Sequence, residues 1–284
     1  MPRLRVVLID VGWGDSILLE AEDSNGGISR GLIDSNDTTY SQNTFLFVKR
    51  YLETNRVEWG EGKAPVFDFV MLSHWHKDHS SGLQRIIREF RTRNFWFPKT
   101  VEKKLEGGLF RYAKRYTHLA ERCESLDRIK FPPNFGPAAI KVLWPRNEDE
   151  CPGGGSVDTK NENNNSIVFA LRLGSVSFLF CGDTEAEVWE HIRDDIPHNT
   201  RFFKVPHHGS VNGFFGAGDQ PAWLNHCPPE AHLGISGHVV PHTHPDVEVV
   251  DALNRARRTY YRTDHHYHII AETTGRKVTV RYTH

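Results

Sequence analysis

Hydrophobic and polar positions alternate along the N-terminal part of the chain, and this period of two predicts β-strands. Aliphatic side chains fill these strands, and glycine-rich turns at residues 11–15 and 23–27 separate them. A stretch with apolar positions at helical spacing follows, because Phe45, Val48 and Leu52 recur every three or four residues. The predicted strands span residues 3–10, 16–20 and 31–34, and the predicted helix spans residues 44–54.

The pattern changes along the rest of the chain. Residues 69–72 are apolar throughout and predict a buried strand, and a mostly helical, basic segment follows it. Residues 146–164 are polar, with three successive glycines and many asparagines, and predict a loop. Further predicted strands span residues 95–98, 140–145, 166–173, 175–181, 202–205, 232–236, 260–263, 268–271 and 277–282. Further predicted helices span residues 83–92, 105–126, 185–192 (capped by Thr184) and 246–257.

Strand-rich halves on either side of a helical middle predict two sheets packed face to face with helices outside, an α/β (α+β) fold. No repeat or linker composition divides the sequence, so we expect a single domain over residues 1–284. The net charge of −1 does not favour a polyanionic partner. Local basic clusters at residues 85–93, 99–114 and 255–258 are either solvated helix faces or a rim that faces nucleic acid.

The cysteines and the apolar segments restrict the cellular setting. The four cysteines stand far apart, which excludes a C-x-x-C zinc ribbon or redox pair and fits a reducing compartment. The N-terminus lacks the apolar run of a signal peptide, and no apolar segment reaches the ~18–20 residues of a membrane span. We therefore expect a cytoplasmic protein without a membrane segment.

The strongest chemical signal is a His-x-His-x-Asp-His cluster that follows the apolar run at residues 69–72. It contains His74, His76, Asp78 and His79, at a point where a strand ends and a helix begins. Nitrogen and oxygen donors this dense on one short loop suit a pair of metal ions.

Three further segments carry metal-binding residue types. One apolar strand ends in Gly182 and Asp183, and a carboxylate there can bridge two cations. A second ends in His207 and His208, and because adjacent side chains diverge, we expect His207 to bind metal and His208 to support it. The third is the segment 238–244, where a histidine precedes a helix and can donate a proton or contact a phosphate.

These motifs together resemble the metallo-β-lactamase fold superfamily, and within it the hydrolase domain of ComEC-type DNA-uptake proteins. The resemblance runs through residues 9–16, 32–35, 163–168, 205–210 and 261–264, in addition to the histidine cluster. It implies a four-layered αββα sandwich with two divalent metal ions, zinc or manganese, at one edge of the sheets. The implied residues are His74 and His76 on one ion, Asp78, His79 and His207 on the other, Asp183 between them, and Asp34 orienting the metal loop.

The sequence departs from the superfamily pattern at the ion bound by His74 and His76. Most members supply a further histidine before the bridging aspartate, but this chain has asparagines at residues 163–165. Asn165 or a water molecule is then expected to complete that site.

The resemblance implies a hydrolase, most simply a phosphodiesterase or nuclease that acts on DNA through a metal-activated hydroxide. Asp78 is expected to orient the hydroxide, and His244, or His242 as the second candidate, to serve the leaving group. Two alternatives stay open. One is a hydrolase of a small ester, lactone or β-lactam, and the other is a metal-supported regulatory subunit with a separately encoded protein partner.

Overall fold

The computed structural model describes residues 1–98, 122–126, 133–145 and 161–283. The strands are β1 (Arg3–Leu8), β2 (Ile17–Glu22), β3 (Ile28–Ile33), β4 (Phe67–Met71), β5 (Thr92–Pro98), β6 (Arg122–Leu126), β7 (Asn134–Phe135), β8 (Ala138–Trp144), β9 (Val168–Leu173), β10 (Val176–Phe180), β11 (Thr200–Lys204), β12 (His232–Ile235), β13 (Tyr260–Arg262), β14 (Ile269–Thr273) and β15 (Val278–Tyr282). The helices are α1 (Asn43–Thr54), α2 (Lys77–Ser80), α3 (Leu83–Phe90), α4 (Ala186–Ile192), α5 (Val211–Phe214), α6 (Val247–Arg255) and α7 (Thr263–His266).

The described strands form two mixed sheets. The order in the first is β15-β14-β1-β2-β3-β4-β5-β6, and in the second it is β13-β12-β11-β10-β9-β8-β7. Strands β3 to β6 run parallel to one another, and so do β10 to β13. Because parallel strands end at the same edge, the loops after β3 and β4 lie together in the first sheet, and those after β10, β11 and β12 lie together in the second. The two groups of loops meet, since His79 after β4 lies 3.2 Å from Asp183 after β10.

Side chains of both sheets fill the space between them and also the outer layers. Within β1, Val6 and Leu8 belong to the core between the sheets, whereas Val7 belongs to the core under α1 and α3. On the far side, Trp189 of α4 packs with Phe203 and Trp223 against the second sheet. This arrangement confirms the predicted four-layered αββα sandwich.

Most predicted elements occur within a few residues of their expected bounds, but two details are wrong. The predicted helix at 105–126 fails at residues 122–126, which form β6 and pair in parallel with β5. Local periodicity cannot predict this pairing, because the partner strand β5 lies in another part of the chain. Residues 105–121 of that helix and residues 146–160 of the predicted loop lie outside the described residues.

The second detail is the start of α4. Thr184 does not cap this helix, since its Oγ1 donates to the carbonyl oxygen of Cys181 at 2.9 Å and Glu185 occupies the cap position. Among the described residues, no helix has the length and apolar character needed to cross a membrane.

We expect truncation in the inter-sheet core to cost far more than truncation at the surface. Phe178→Ala removes a fully buried ring that lies 5.6 Å from the ring of Phe202, and should lower the free energy of unfolding by about 3–5 kcal/mol. Leu46→Ala on the exposed face of α1 is the control and should change it by less than about 0.5 kcal/mol. Urea unfolding followed by circular dichroism measures both, and equal costs would contradict this assignment of the core.

Candidate metal centre

Asp34 organises the loop that carries the histidine cluster. It follows β3 in a left-handed backbone conformation with φ 57°, and its side chain is fully buried. The backbone N–H of Ser73 donates to Asp34 Oδ1 at 2.7 Å, and the Ser73 hydroxyl donates to Oδ2 at 2.6 Å. His79 Nδ1 lies 2.7 Å from the same Oδ2. Asp34 therefore fixes both the start of the loop and the ring of His79, so that Nε2 faces away from Asp34.

Asp183 lies opposite this loop, in the turn after β10. Four imidazole nitrogens surround its Oδ2: His79 Nε2 at 3.2 Å, His208 Nε2 at 3.3 Å, and His74 Nε2 and His207 Nε2 at 3.9 Å each. Its other oxygen, Oδ1, is buried and has no hydrogen-bond partner among the described residues. A buried carboxylate oxygen without a partner is costly, and a cation would satisfy it.

The two adjacent histidines after β11 point in different directions. His207 and His208 both adopt left-handed backbone conformations, with φ 45° and 53°. The ring of His208 turns inward, and its Nε2 lies 3.5 Å from Asp78 Oδ2. Asp78, His79, Asp183 and His208 place one donor atom each within 4.8 Å of one another. The histidine that joins Asp78 and His79 is therefore His208, whereas the sequence had suggested His207 for this position.

His207 faces another part of the site. Its Nδ1 lies 3.3 Å from Glu185 Oε1, and its Nε2 lies 3.9 Å from Asp183 Oδ2. Glu185 itself accepts hydrogen bonds from Asn161 Nδ2 at 2.7 Å and from Asn163 Nδ2 at 2.8 Å. The asparagine-rich turn at Glu162–Asn165 therefore connects with His207 through one carboxylate.

Sequence reasoning missed Asp15 and Lys204 as members of the site. Lys204 Nζ lies 2.6 Å from Asp15 Oδ2, and both side chains are almost fully buried. Asp15 Oδ1 in turn lies 3.6 Å from His208 Nδ1. A lysine at the end of the apolar run Phe202-Phe203-Lys204-Val205 is the signal that was available, because a charged side chain in a buried strand needs a buried partner.

An open cavity of about 340 Å³ lies over these donors. It is lined by Trp13, His76, Lys77, Asp78, Asn163, Asp183, His207, His208, His242 and His244. His242 and His244 thus reach the site as expected, on the loop closed by the mutual backbone hydrogen bonds of His238 and His244. Asn163 lines the cavity in the place where Asn165 was expected, while Asn165 is buried and does not line it.

The sequence comparison agrees with this geometry. The family model of the metallo-beta-lactamase superfamily matches residues 5–221, about three quarters of the chain. The chain belongs to the metallo-beta-lactamase superfamily. This confirms the resemblance inferred from the motifs.

Individual relatives of this superfamily member are distant. The chain is 24% identical over 269 residues to ComE operon protein 3 of Bacillus subtilis (strain 168), a match that covers 91% of this chain and 32% of that protein. Among solved structures it is similar to Igni18, a metallo hydrolase from Ignicoccus hospitalis, with 13% identity, a TM-score of 0.48 and coverage of 99% and 100%. It is also similar to Zn(2+)-bound PqqB from Methylobacterium extorquens, with 11% identity, a TM-score of 0.48 and coverage of 90% and 97%.

Protons on histidines balance the charges of the carboxylates in this site. Burial alone would lower the pKa of His79, but Asp183, Asp78 and Asp34 together raise it well above its usual range. Burial likewise opposes the charge on His208, yet Asp183 and Asp15 raise its pKa to about 9. His74 differs, because burial and the neighbouring His79 hold its pKa well below the usual range. The protons on His79 and His208 therefore occupy the place of a cation between the carboxylates.

The donor set fits divalent metal ions. Imidazole nitrogens and carboxylate oxygens converge, carboxylates lie behind the rings of His79 and His208, and Asp183 Oδ1 has no partner in the described part of the chain. These donor types suit zinc or manganese.

We expect metal binding to release protons and to strengthen with pH. With the pKa of His208 at about 9, an ion that binds its Nε2 at pH 7 must displace a proton. The apparent affinity should therefore rise about tenfold per pH unit from pH 7 to 9 for this proton alone, and level off above. Calorimetric titration with Mn²⁺ or Zn²⁺ in buffers of different ionisation enthalpy measures the release. His208→Gln should release fewer protons, and affinity independent of pH would contradict the expectation.

Proposed function

We propose that this protein is a metal-dependent phosphodiesterase that acts on DNA. The observation that carries the proposal is the chemistry of the cavity, where imidazoles, the Asn163 amide and the Lys77 ammonium group lie around the two carboxylates. The acidic side chains in its lining are Asp78 and Asp183, and bound divalent ions would neutralise them. A cavity with this charge pattern suits an anionic phosphodiester better than a neutral ester or lactam.

The ligand sets follow from the distances. His74 and His76 would hold one ion, since His74 Nε2 and His76 Nδ1 lie 3.0 Å apart. Asp78, His79 and His208 would hold the second, with Asp183 between the two. Two divalent ions would lower the pKa of a shared water molecule and hold the phosphate oxygens in line.

The other cavity residues would orient the substrate. Lys77 is exposed at the mouth, where its ammonium group can pair with a phosphate beside the reacting one. His244 Nδ1 lies 3.4 Å from Asp246 Oδ1, which leaves Nε2 to serve the leaving oxygen. Burial lowers the pKa of His244, and an anionic phosphate against the ring would raise it again and favour the protonated form that can donate to the leaving oxygen.

Similarity to ComE operon protein 3 and to ComEC-type hydrolase domains supports DNA as the substrate. Aromatic side chains next to the basic segment do not form a stacking platform for the strand, because Phe90, Phe95 and Trp96 are buried. Phe110, Tyr112 and Tyr116 of that segment lie outside the described residues. Trp13 is the aromatic side chain that lines the cavity.

Nuclease activity should depend on a divalent ion and on Asp183. The protein with Mn²⁺ should cleave single- or double-stranded DNA and bis-p-nitrophenyl phosphate, and chelation should abolish both activities. Asp183→Asn removes the central carboxylate charge and should lower the rate by at least about 10³-fold. A lactone and a chromogenic β-lactam are tested in the same assay. Hydrolysis of only these two compounds would refute the phosphodiesterase proposal.

His244→Gln tests the leaving-group role separately from metal binding. The variant should keep its metal content and lose about 10²–10⁴-fold in kcat. Its loss should be smaller on bis-p-nitrophenyl phosphate, whose leaving group needs little protonation, than on DNA. Equal losses on both substrates would exclude His244 as the proton donor.

A further inference from the structure

The ion assigned to His74 and His76 lacks a full set of protein ligands. Besides these two imidazoles, only the shared Asp183 was assigned to it, with Oδ2 at 3.9 Å from His74 Nε2. Structural zinc sites use four protein ligands and catalytic sites use three, and here one of the three is shared with the other ion. A further protein donor would come from a residue whose free atom faces the same cavity.

His207 is the candidate for this donor. It lines the cavity with His76, and its Nε2 lies 3.9 Å from Asp183 Oδ2, the same distance as His74 Nε2. Its backbone is held on both sides, because its N–H donates to the Gly182 carbonyl at 3.2 Å and its carbonyl accepts from Ser210 N–H at 2.8 Å. Since the neighbouring His208 belongs to the other group of donors, His207 is available.

The Nδ1 side of His207 is built like that of the other inward-facing histidines. Glu185 lies behind His207 at 3.3 Å, as Asp34 lies behind His79 at 2.7 Å and Asp15 behind His208 at 3.6 Å. A carboxylate this close to Nδ1 favours a proton on that atom and leaves the opposite nitrogen free as a ligand. Glu185 is itself fixed by two asparagine amides, so the ring of His207 has a defined support.

Asn163 is the competing donor. Its Oδ1 is buried without a hydrogen-bond partner in the described part of the chain, while its Nδ2 donates to Glu185. An amide oxygen is a weaker ligand than imidazole for zinc and similar transition metals. Its hydrogen bond instead makes it a second support for Glu185.

We propose that His207, beside Glu185, is the third imidazole ligand of the ion bound by His74 and His76, in place of the histidine that most superfamily members supply. This inference rests on the two-ion site of the proposed function. It gives the Asn-rich turn a positioning role, because that turn fixes Glu185 and thereby the ring of His207.

Metal stoichiometry tests the inference without substrate. The full chain is stripped with chelator, titrated with Zn²⁺ or Mn²⁺ by calorimetry, and analysed for bound metal after dialysis. The parent protein should bind two ions and His207→Ala one, whereas Glu185→Gln should bind two with about 10–100-fold weaker affinity at one site. His226→Ala is the matched control, because His226 also faces a carboxylate, Asp194 at 3.0 Å, but lies outside the cavity.

Three results would overturn the inference. They are two ions bound with parent affinity in His207→Ala, a single ion in the parent protein, or loss of one ion in Asn163→Ala but not in His207→Ala. Thermal unfolding of the variants without metal checks that each one folds. If His207→Ala does not fold, Glu185→Gln tests the inference in its place. A protein that shows the expected stoichiometry but cleaves no phosphodiester would refute the proposed function and leave the ligand assignment intact.

Discussion

The site depends on charge compensation around the buried carboxylate of Asp183. Four imidazole nitrogens face its Oδ2 within 3.9 Å, and burial makes each unpaired charge there expensive. In the metal-free protein, protons on His79 and His208 supply the opposing charge, since neighbouring carboxylates raise both pKa values. A site in which protons bridge buried carboxylates is prepared for divalent ions, because the ions replace protons that already occupy their place.

The sandwich brings these groups together from distant parts of the chain. Asp34 follows β3, the histidine loop follows β4, Asp183 follows β10, and His207 and His208 follow β11. Each lies after the end of a parallel strand, so one edge of the two sheets collects them all. Glycines permit this closeness, since a Cβ at Gly14 would lie 2.1 Å from the Asp78 carbonyl oxygen. The rigid strands therefore set the distances that the loops alone could not hold.

The carboxylates behind the histidines give the site its asymmetry. Asp34 and Asp15 lie behind the two rings that join Asp78 and Asp183, whereas Glu185 lies behind His207 on the other side of the cavity. Asp15 is also tied to the buried ammonium of Lys204, so part of the polar network extends into the second sheet. Two differently supported positions beside Asp183 would suit the two ions of the proposed function, one held tightly and one open to substrate.

The sequence by itself indicated two layered sheets with outer helices through periodicity, and its short motifs carried the resemblance to the superfamily and the candidate metal loop, because both signals depend on neighbouring residues. It also indicated Asp34, Asp183, His242 and His244 at or near the site. Only the tertiary structure decided that His208 and not His207 joins Asp78, that Asn163 and not Asn165 reaches the cavity, and that residues 122–126 pair with β5 as a strand. These outcomes depend on side-chain direction and on pairing between distant segments, which local pattern does not contain.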